Sequence, residues 1–328
     1  MKGLDNLGNT CYINTALQCL LSIPSFTNFL LSQSFSQSSS PLTYSLCNLY
    51  QALSHPSGTS VKPYEFVQCV NDIISCINVF EQNDINEFIS LFLDKLCKEA
   101  GCNIYSVAMR NLNLKEYKDS QYGRQEKKMD LAWVQSTCKE YSHLYPMFYG
   151  QLINQIICKH CKKIWHNYEV FQDLSLAIDD QNNLDGCLDS HFNESVTCEW
   201  KCDRCNKTSE SKKNVMLWKN PEALIISLKR FDFTSTYLKK NNRPIQIPEH
   251  IDMSKYTVGK TATRYKLKAC ATHSGSYMGG HYHAISQDQK DMTWCIFDDE
   301  SVMKFGEGEV NFPSEHLSKG YTLFYFAE

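Results

Sequence analysis

A cysteine at position 11 stands where an apolar helical pattern begins, inside the stretch NLGNTCYIN (6–14). In the first turn of a helix a thiol faces unpaired backbone N–H groups and the positive end of the helix dipole, so the thiolate is favoured and the pKa falls. Such a sulfur is a nucleophile. Upstream of it, Asn6 carries a side-chain amide that can donate to an oxyanion developing beside the sulfur. The competing role for Cys11 is that of a small buried hydrophobe. A nucleophilic thiol needs a base, and HSGSYMGGHYHAIS (273–286) supplies His273, His281 and His283, with Gly275, Gly279 and Gly280 describing a mobile loop that runs into a strand. Further on, WCIFDD (294–299) ends a strand on Asp298 and Asp299, and a carboxylate is what an imidazole base needs to fix its tautomer and stabilise its charged form. The three residue types are those of thiol-dependent acyl transfer. Their proximity is not legible in the sequence.

A second chemistry is written in CKHC (Cys158, Cys161) and CDRC (Cys202, Cys205). Two C-x-x-C knuckles each offer a pair of sulfurs on one side of an ion, and together they close a four-thiolate tetrahedral zinc shell. A closed shell leaves no place for water, so the expected role is structural, holding two hairpins together. Unligated thiols or redox pairs are the alternative, and Cys198 and His160 lie near enough in sequence to be rival ligands.

The elements that must position these groups follow from hydropathy patterning. Ile13, Ala16, Leu17, Leu20 and Leu21 recur at helical spacing, which predicts a helix over 11–22 that Pro24 closes. The Ser-rich SQSFSQSSS (32–40) reads as a loop. Pro63 suits the first position of a helix whose stripe is Phe66, Val67, Val70, Ile73, Ile74 and Ile77, and Asp84 opens another over 84–97. After a charged, weakly patterned segment at 110–130, the runs at 223–231, 265–273, 281–286, 294–299 and 321–328 are short and rich in aromatic and β-favouring residues. The fold class is α+β, a helical N-terminal third followed by a mostly antiparallel sheet.

Composition bounds the function classes. The chain has 328 residues, is 42% hydrophobic and carries a net charge of −3 without long single-sign blocks, which argues against a nucleic-acid-binding surface and a polybasic membrane anchor. No stretch has the ~20 apolar residues that span a bilayer, and MKGLDNLGNTC lacks the apolar core of a secretory signal. The expected setting is intracellular, cytoplasmic or nuclear, with the sixteen cysteines as free thiols apart from a metal site.

Taken together the motifs resemble the ubiquitin-specific protease family of deubiquitinating enzymes. GLDNLGNTCYINTALQCL (3–20) matches its cysteine box, and HSGSYMGGHYHA followed by WCIFDDESV its histidine box. EQNDINEF (81–88), the paired knuckles and LIISLKRF (224–231) fall between them in the family's order. The resemblance implies a papain-like fold of helical thumb, antiparallel-sheet palm and zinc-tipped fingers. It implies one catalytic domain over 1–328, with the thumb at about 1–147, the fingers at about 148–215 and the palm at about 216–328 with contributions from 165–180. By position, Cys11 matches the nucleophile, His281 the general base, Asp298 the orienting residue and Asn6 an oxyanion donor that Asp299 assists; His273 matches a position that is not the base.

The implied activity is hydrolysis of the isopeptide or peptide bond at the ubiquitin C-terminal glycine, by a monomer acting on ubiquitinated proteins with Zn2+ bound by the four knuckle cysteines. A non-catalytic ubiquitin-binding module and a protease for a ubiquitin-like modifier are the alternatives. Gln82, Asp84 and Glu87 match a segment that contacts the ubiquitin tail, and Tyr282 an aromatic that lines the glycine channel. Asp84 and Glu87 also form a D-x-x-E capping box, which would account for both carboxylates without any substrate. Asn83 replaces a glutamine usual in the family, shortening one polar side chain. The boundaries read as a minimal catalytic core without accessory domains.

Overall fold

The computed structural model describes residues 2–32, 34–178, 180–193, 196–232, 239–259, 261, 263–276, 279–305 and 312–328. Its N-terminal part is mostly helical: β1 (Gly3–Leu4), α1 (Cys11–Leu20), α2 (Pro24–Ser32), α3 (Pro41–Ser54), β2 (Ser60–Val61), α4 (Tyr64–Ile73), α5 (Ile85–Glu99), α6 (Tyr105–Leu114), α7 (Gln121–Thr137) and α8 (Leu144–Phe148). All ten residues of α1 are buried. A helix covered on every side must pack against several elements at once, and α1 lies against α5 on one side and a sheet on the other. Ile13, Ala16, Leu17 and Leu20 are fully buried in this seam. Each large aliphatic side chain there contributes roughly 1.5–3 kcal/mol by leaving water.

α4 is shorter than its apolar stripe suggests. Pro63 sits at the N-cap rather than the first helical position, and the helix ends at Ile73, so Ile74 and Ile77 reach the core from the connection to α5. α3 was not marked by the sequence pattern. Its N-cap Ser40 makes no side-chain cap; the Glu99 carboxylate, at the end of α5, instead accepts from the Leu42 and Thr43 backbone N–H groups at 3.0 and 2.7 Å. That long-range cap fixes α3 against α5.

The chain then forms β3 (Gly150–Ile157), β4 (Ile164–Phe171), β5 (Asp173–Ala177), α9 (Leu184–Asn193), β6 (Val196–Lys201) and β7 (Thr208–Lys219). Four of these strands make a sheet in the order β4-β3-β7-β6, antiparallel throughout. Each C-x-x-C knuckle is the turn of one hairpin in it, between β3 and β4 and between β6 and β7.

The remaining strands are β8 (Ala223–Lys229), β9 (Phe231–Asp232), β10 (Lys239–Lys240), β11 (His250–Asp252), β12 (Arg264–Ser276), β13 (Gly279–Gln287), β14 (Trp294–Asp298), β15 (Ser301–Lys304) and β16 (Gly320–Ala327), with α10 (Ser314–Leu317) before the last. The main sheet runs β15-β14-β13-β12-β16-β8-β5, and β11 joins β12. Its pairs are antiparallel except β5 with β8. One core lies between this sheet and the thumb-side helices, and a second lies on the sheet's other face. Both faces are therefore buried, which explains strands such as ALIISLK that read as continuous apolar runs.

Candidate active site

Cys11 opens α1, and the loop before it is organised by a side chain. Asn6 Oδ1 accepts from the backbone N–H of Gly8 at 3.0 Å and of Thr10 at 3.2 Å. Gly8 holds φ +126°, a region that favours glycine. Because Asn6 closes the loop, the Thr10 side chain does not cap the helix, and the first N–H groups of α1 stay directed at the sulfur.

The thiol itself corrects an expectation. Burial pushes the Cys11 pKa up; the backbone N–H of Tyr282 opposes this, Asp299 adds to it, and the N–H groups of Tyr12 and Cys11 oppose it again. Desolvation outweighs the helix terminus, which favours the thiol over a preformed thiolate. The geometry nevertheless brings the right strand to it. The Tyr282 N–H that faces the sulfur belongs to the residue after His281, and α1 packs on β13.

β13 and β14 are neighbours, which puts His281 beside Asp298: Nε2 and Asp298 Oδ1 lie 2.5 Å apart, while the nearest Asp299 oxygen is 3.9 Å away. Of the two carboxylates, Asp298 is thus the one in contact with the imidazole. Asp299 does something else. It sits in the turn after β14 with φ +50°, its side chain only 9% exposed, and it accepts the amides of Asn6 at 2.7 Å and Asn14 at 2.8 Å. Burial raises the pKa of this carboxyl, against the two amides that favour its charged form. Asn14 was not singled out from the sequence. The available signal was an amide, with Gln18 one turn further on, inside a helix buried on every side, where a polar group needs partners.

The three glycines form a paired hairpin instead of an open loop, with Gly275 opposite Gly280 and Ser276 opposite Gly279. Across the gap between helices and sheet, Gln82 accepts from the Gly280 N–H at 3.2 Å and donates to Asn9 Oδ1 at 3.3 Å. Gln82 therefore joins the cysteine loop to the histidine hairpin. Asn83 is spent internally, donating to Tyr12 Oη at 3.2 Å, to Asn78 O at 2.9 Å and to Glu81 O at 2.9 Å.

Asp84 caps α5: Oδ1 accepts from the Asn86 N–H at 2.8 Å and the Glu87 N–H at 3.3 Å, and Oδ2 accepts from Tyr321 Oη at 2.5 Å. The capping box is only half formed. Glu87 is exposed and its carboxylate accepts no hydrogen bond among the described residues. Tyr282 is 5% exposed and packs on the His273 ring, centroids 4.5 Å apart.

The four knuckle thiols gather at the far end of the β3–β4 and β6–β7 hairpins, their sulfurs all within 4.8 Å of one another. Two edges of the cluster measure 3.8 Å (Cys158–Cys205) and 3.6 Å (Cys161–Cys202). A tetrahedron with metal–sulfur bonds of about 2.3 Å has edges of about 3.8 Å, so the donor set fits a four-thiolate ion. The knuckles are congruent. In each, the residue after the second cysteine is left-handed (Lys162 φ 57°, Asn206 φ 52°), and the first cysteine's N–H donates to the carbonyl of the next residue, Lys163 or Lys207. Backbone N–H groups, that of Cys161 foremost, lower the Cys158 pKa. Cys202 is held at about 6, its desolvation overcome by the N–H groups of Cys205 and Arg204 and by the neighbouring thiols. His160 is exposed and outside the cluster; the Cys198 side chain lies outside the described residues. The fifteen described cysteines are all unbridged.

Residues 2–325 match the family model described as "Ubiquitin carboxyl-terminal hydrolase". Among similar curated proteins, human ubiquitin carboxyl-terminal hydrolase 21 is 29% identical over 353 residues, covering 98% of this chain and 61% of that protein. The Drosophila melanogaster protein Usp2 is 28% identical, over 98% of this chain and 34% of its own. The chain thus spans under two thirds of the length of these relatives. Among solved structures, a chain of the SAGA DUB module Ubp8/Sgf11/Sus1/Sgf73 bound to monoubiquitin superposes with a TM-score of 0.75 at 23% identity, covering 100% of this chain and 69% of that one. The same module bound to ubiquitin aldehyde gives 0.73 at 23%. The likeness is one of fold, and in this chain that fold is α+β, with a helical thumb, an antiparallel-sheet palm and two finger hairpins that end in the cysteine knuckles.

Proposed function

The chain belongs to the ubiquitin carboxyl-terminal hydrolase family, and on that premise we propose that it is a thiol-dependent deubiquitinase cleaving the bond after the C-terminal glycine of ubiquitin. The observation that carries this reading is the His281–Asp298 pair, set on adjacent strands beside the N-terminus of the helix that begins with Cys11.

With Nε2 engaged by Asp298, the other imidazole nitrogen, Nδ1, is the one left to receive the thiol proton. Because the resting sulfur is protonated, His281 acts as a general base while Cys11 attacks the glycine carbonyl. The bond formed is S–C, and the carbonyl oxygen becomes an oxyanion. Asn6, aimed by Asp299 and tied into the loop before α1, donates to that oxygen together with the N–H groups at the start of the helix. His281 then returns its proton to the departing lysine amine, and water resolves the thioester with the same imidazole as base. Asp298 holds the ring's tautomer and stabilises its charged form throughout.

The substrate's slender glycine end would run under Gln82 and along the β13 edge at Tyr282. Glu87, exposed and without a cap bond, is the better carboxylate for a cationic side chain of the tail; Asp84 supports the wall of the channel through Tyr321. Cys158, Cys161, Cys202 and Cys205 would hold Zn2+, which supplies no reaction chemistry and ties the two finger hairpins together. The reading takes 1–328 as one catalytic domain with ubiquitin and ubiquitinated proteins as partners, working as a monomer in the cytoplasm or nucleus. Among the described residues no helix is long and apolar enough to cross a membrane. The test is turnover of ubiquitin bearing a C-terminal fluorophore by the isolated chain: release that disappears with Cys11→Ser supports the reading, and its absence from properly folded wild-type protein refutes it.

A further inference from the structure

His273 is buried, 8% exposed, on the strand β12 that pairs with β13. Its ring touches the residues on both sides of His281. On one side a side-chain carbon at Gly280 would lie only 2.2 Å from His273 Nε2, so the ring packs directly on the Gly280 backbone. On the other side the Tyr282 ring lies on it at 4.5 Å. What sets the ring's orientation is Lys240 on β10. Its ammonium meets His273 Nδ1 at 3.0 Å and donates to the carbonyls of His273 at 2.7 Å and Gly275 at 3.3 Å. All three bonds converge on the end of β12 where it turns toward β13.

We propose that Lys240 is a positioning residue for the hydrolytic site: by holding the His273 ring against Gly280 and Tyr282, it fixes both neighbours of His281 and so the aim of the base. The inference rests on the hydrolase reading above. An ammonium has no acceptor capacity, so the Nδ1 that faces it must be the unprotonated nitrogen of a neutral ring. Burial foremost, then the charges of Lys240 and His281, hold His273 down at about 4. The rings of Tyr282, Phe231 and Tyr321 surround it at 4.5, 5.6 and 6.5 Å, and His283, Glu315, His316 and Lys319 line the hollow beside it. The neutral ring can rest against the strand carrying His281; a protonated ring would lose the Lys240 contact and repel that ammonium.

The experiment uses the full chain with Lys240→Met and Lys240→Arg. On ubiquitin with a C-terminal fluorophore, Lys240→Met should lower kcat by about ten-fold with KM nearly unchanged, the scale expected when a base is misaimed by a fraction of an ångström. Its acid limb should move to higher pH, because the His273 ring, freed of the ammonium, takes a proton at higher pH and then leaves its place against Gly280 and Tyr282. Lys240→Arg should restore most of the rate and the wild-type limb. A wild-type rate and profile in Lys240→Met overturns the proposal; so does a loss that merely tracks the folded fraction, with an unmoved profile and no rescue by arginine. Should wild-type protein turn over no ubiquitin substrate, the hydrolase reading fails separately, and imidazole NMR still decides the Lys240 contact. There, the His273 titration should rise above about 4 in Lys240→Met, burial still holding it below the ordinary imidazole range, and an unchanged titration refutes the contact.

Discussion

Asp299→Asn is the substitution that separates the two neighbouring carboxylates. The native side chain accepts two amides, from Asn6 at 2.7 Å and Asn14 at 2.8 Å. Asparagine keeps the shape and tolerates the left-handed backbone at this position, φ +50°. It offers one carbonyl oxygen and one NH2, however, so whichever amide the carbonyl accepts, the other donor faces a donor. A hydrogen bond to a charged group is worth about 1.5–3 kcal/mol, and one of the two is lost outright. Where that loss falls on Asn6, the oxyanion donor is released from its aim; removing such a donor altogether costs on the order of 10²–10³ in kcat. The expected effect of Asp299→Asn is therefore a drop in kcat of roughly 10- to 100-fold, with KM within about two-fold and a melting temperature lower by only a few degrees. Steady-state turnover of fluorogenic ubiquitin and a thermal melt on the same sample measure both. If Asp299→Asn keeps wild-type kcat while Asn6→Ala loses it, Asn6 acts without the carboxylate and the assignment of Asp299 is wrong.

Other outcomes follow from the same geometry. Asp84→Ala should mainly destabilise, by about 1 kcal/mol for the lost cap on α5, whereas Glu87→Lys should raise KM for ubiquitin substrates and leave the melt unchanged; the reverse pattern would restore Asp84 as the tail contact. Protein purified without chelator should contain about one zinc per chain, and Cys202→Ser should lose it and loosen the β3–β4 and β6–β7 hairpins by hydrogen exchange while the main sheet stays protected. For His273, held at about 4, the native state refuses a proton that the unfolded chain takes near ~6.5, so stability is whole above that value and is lost as pH falls toward the lower one. Urea unfolding at pH 7 and pH 5 should show the wild type losing on the order of 1–2 kcal/mol more than His273→Gln, allowing for solvent screening. An equal loss in both proteins would remove the depressed titration.

What was legible in the sequence were residue types fit for chemistry, and the structure brings two of these sets together: His281 meets Asp298, and the four knuckle thiols gather in one cluster. The helix over 11–22 and the aromatic strands near the C-terminus were also legible, because their patterning is local. The contacts that aim the site were not. Asn14 and Asp299 are 285 positions apart, and Lys240 and His273 are 33 apart; nothing in either local pattern announces a partner. α3 was missed because its cap comes from Glu99 rather than Ser40. α6 was not legible because its apolar residues form no buried stripe, only Leu112 being buried, and α7 because its sequence is polar: it is anchored by Met129, which clusters with Ile153 and Trp218, elements that only tertiary folding supplies. The direction of the thiol pKa was not legible for a related reason. The dipole of α1 was visible in sequence, and the burial that overrides it was not.

The central claim is that Cys11 attacks the glycine end of ubiquitin with His281 as its base. Incubating the chain with ubiquitin whose C-terminus carries a thiol-reactive electrophile, followed by peptide mass mapping, tests it most directly. The account predicts one ubiquitin per chain attached at Cys11, none with Cys11→Ser, and much slower capture with His281→Ala. Folded protein that binds this probe without forming the adduct, or forms it at another cysteine, would contradict the account.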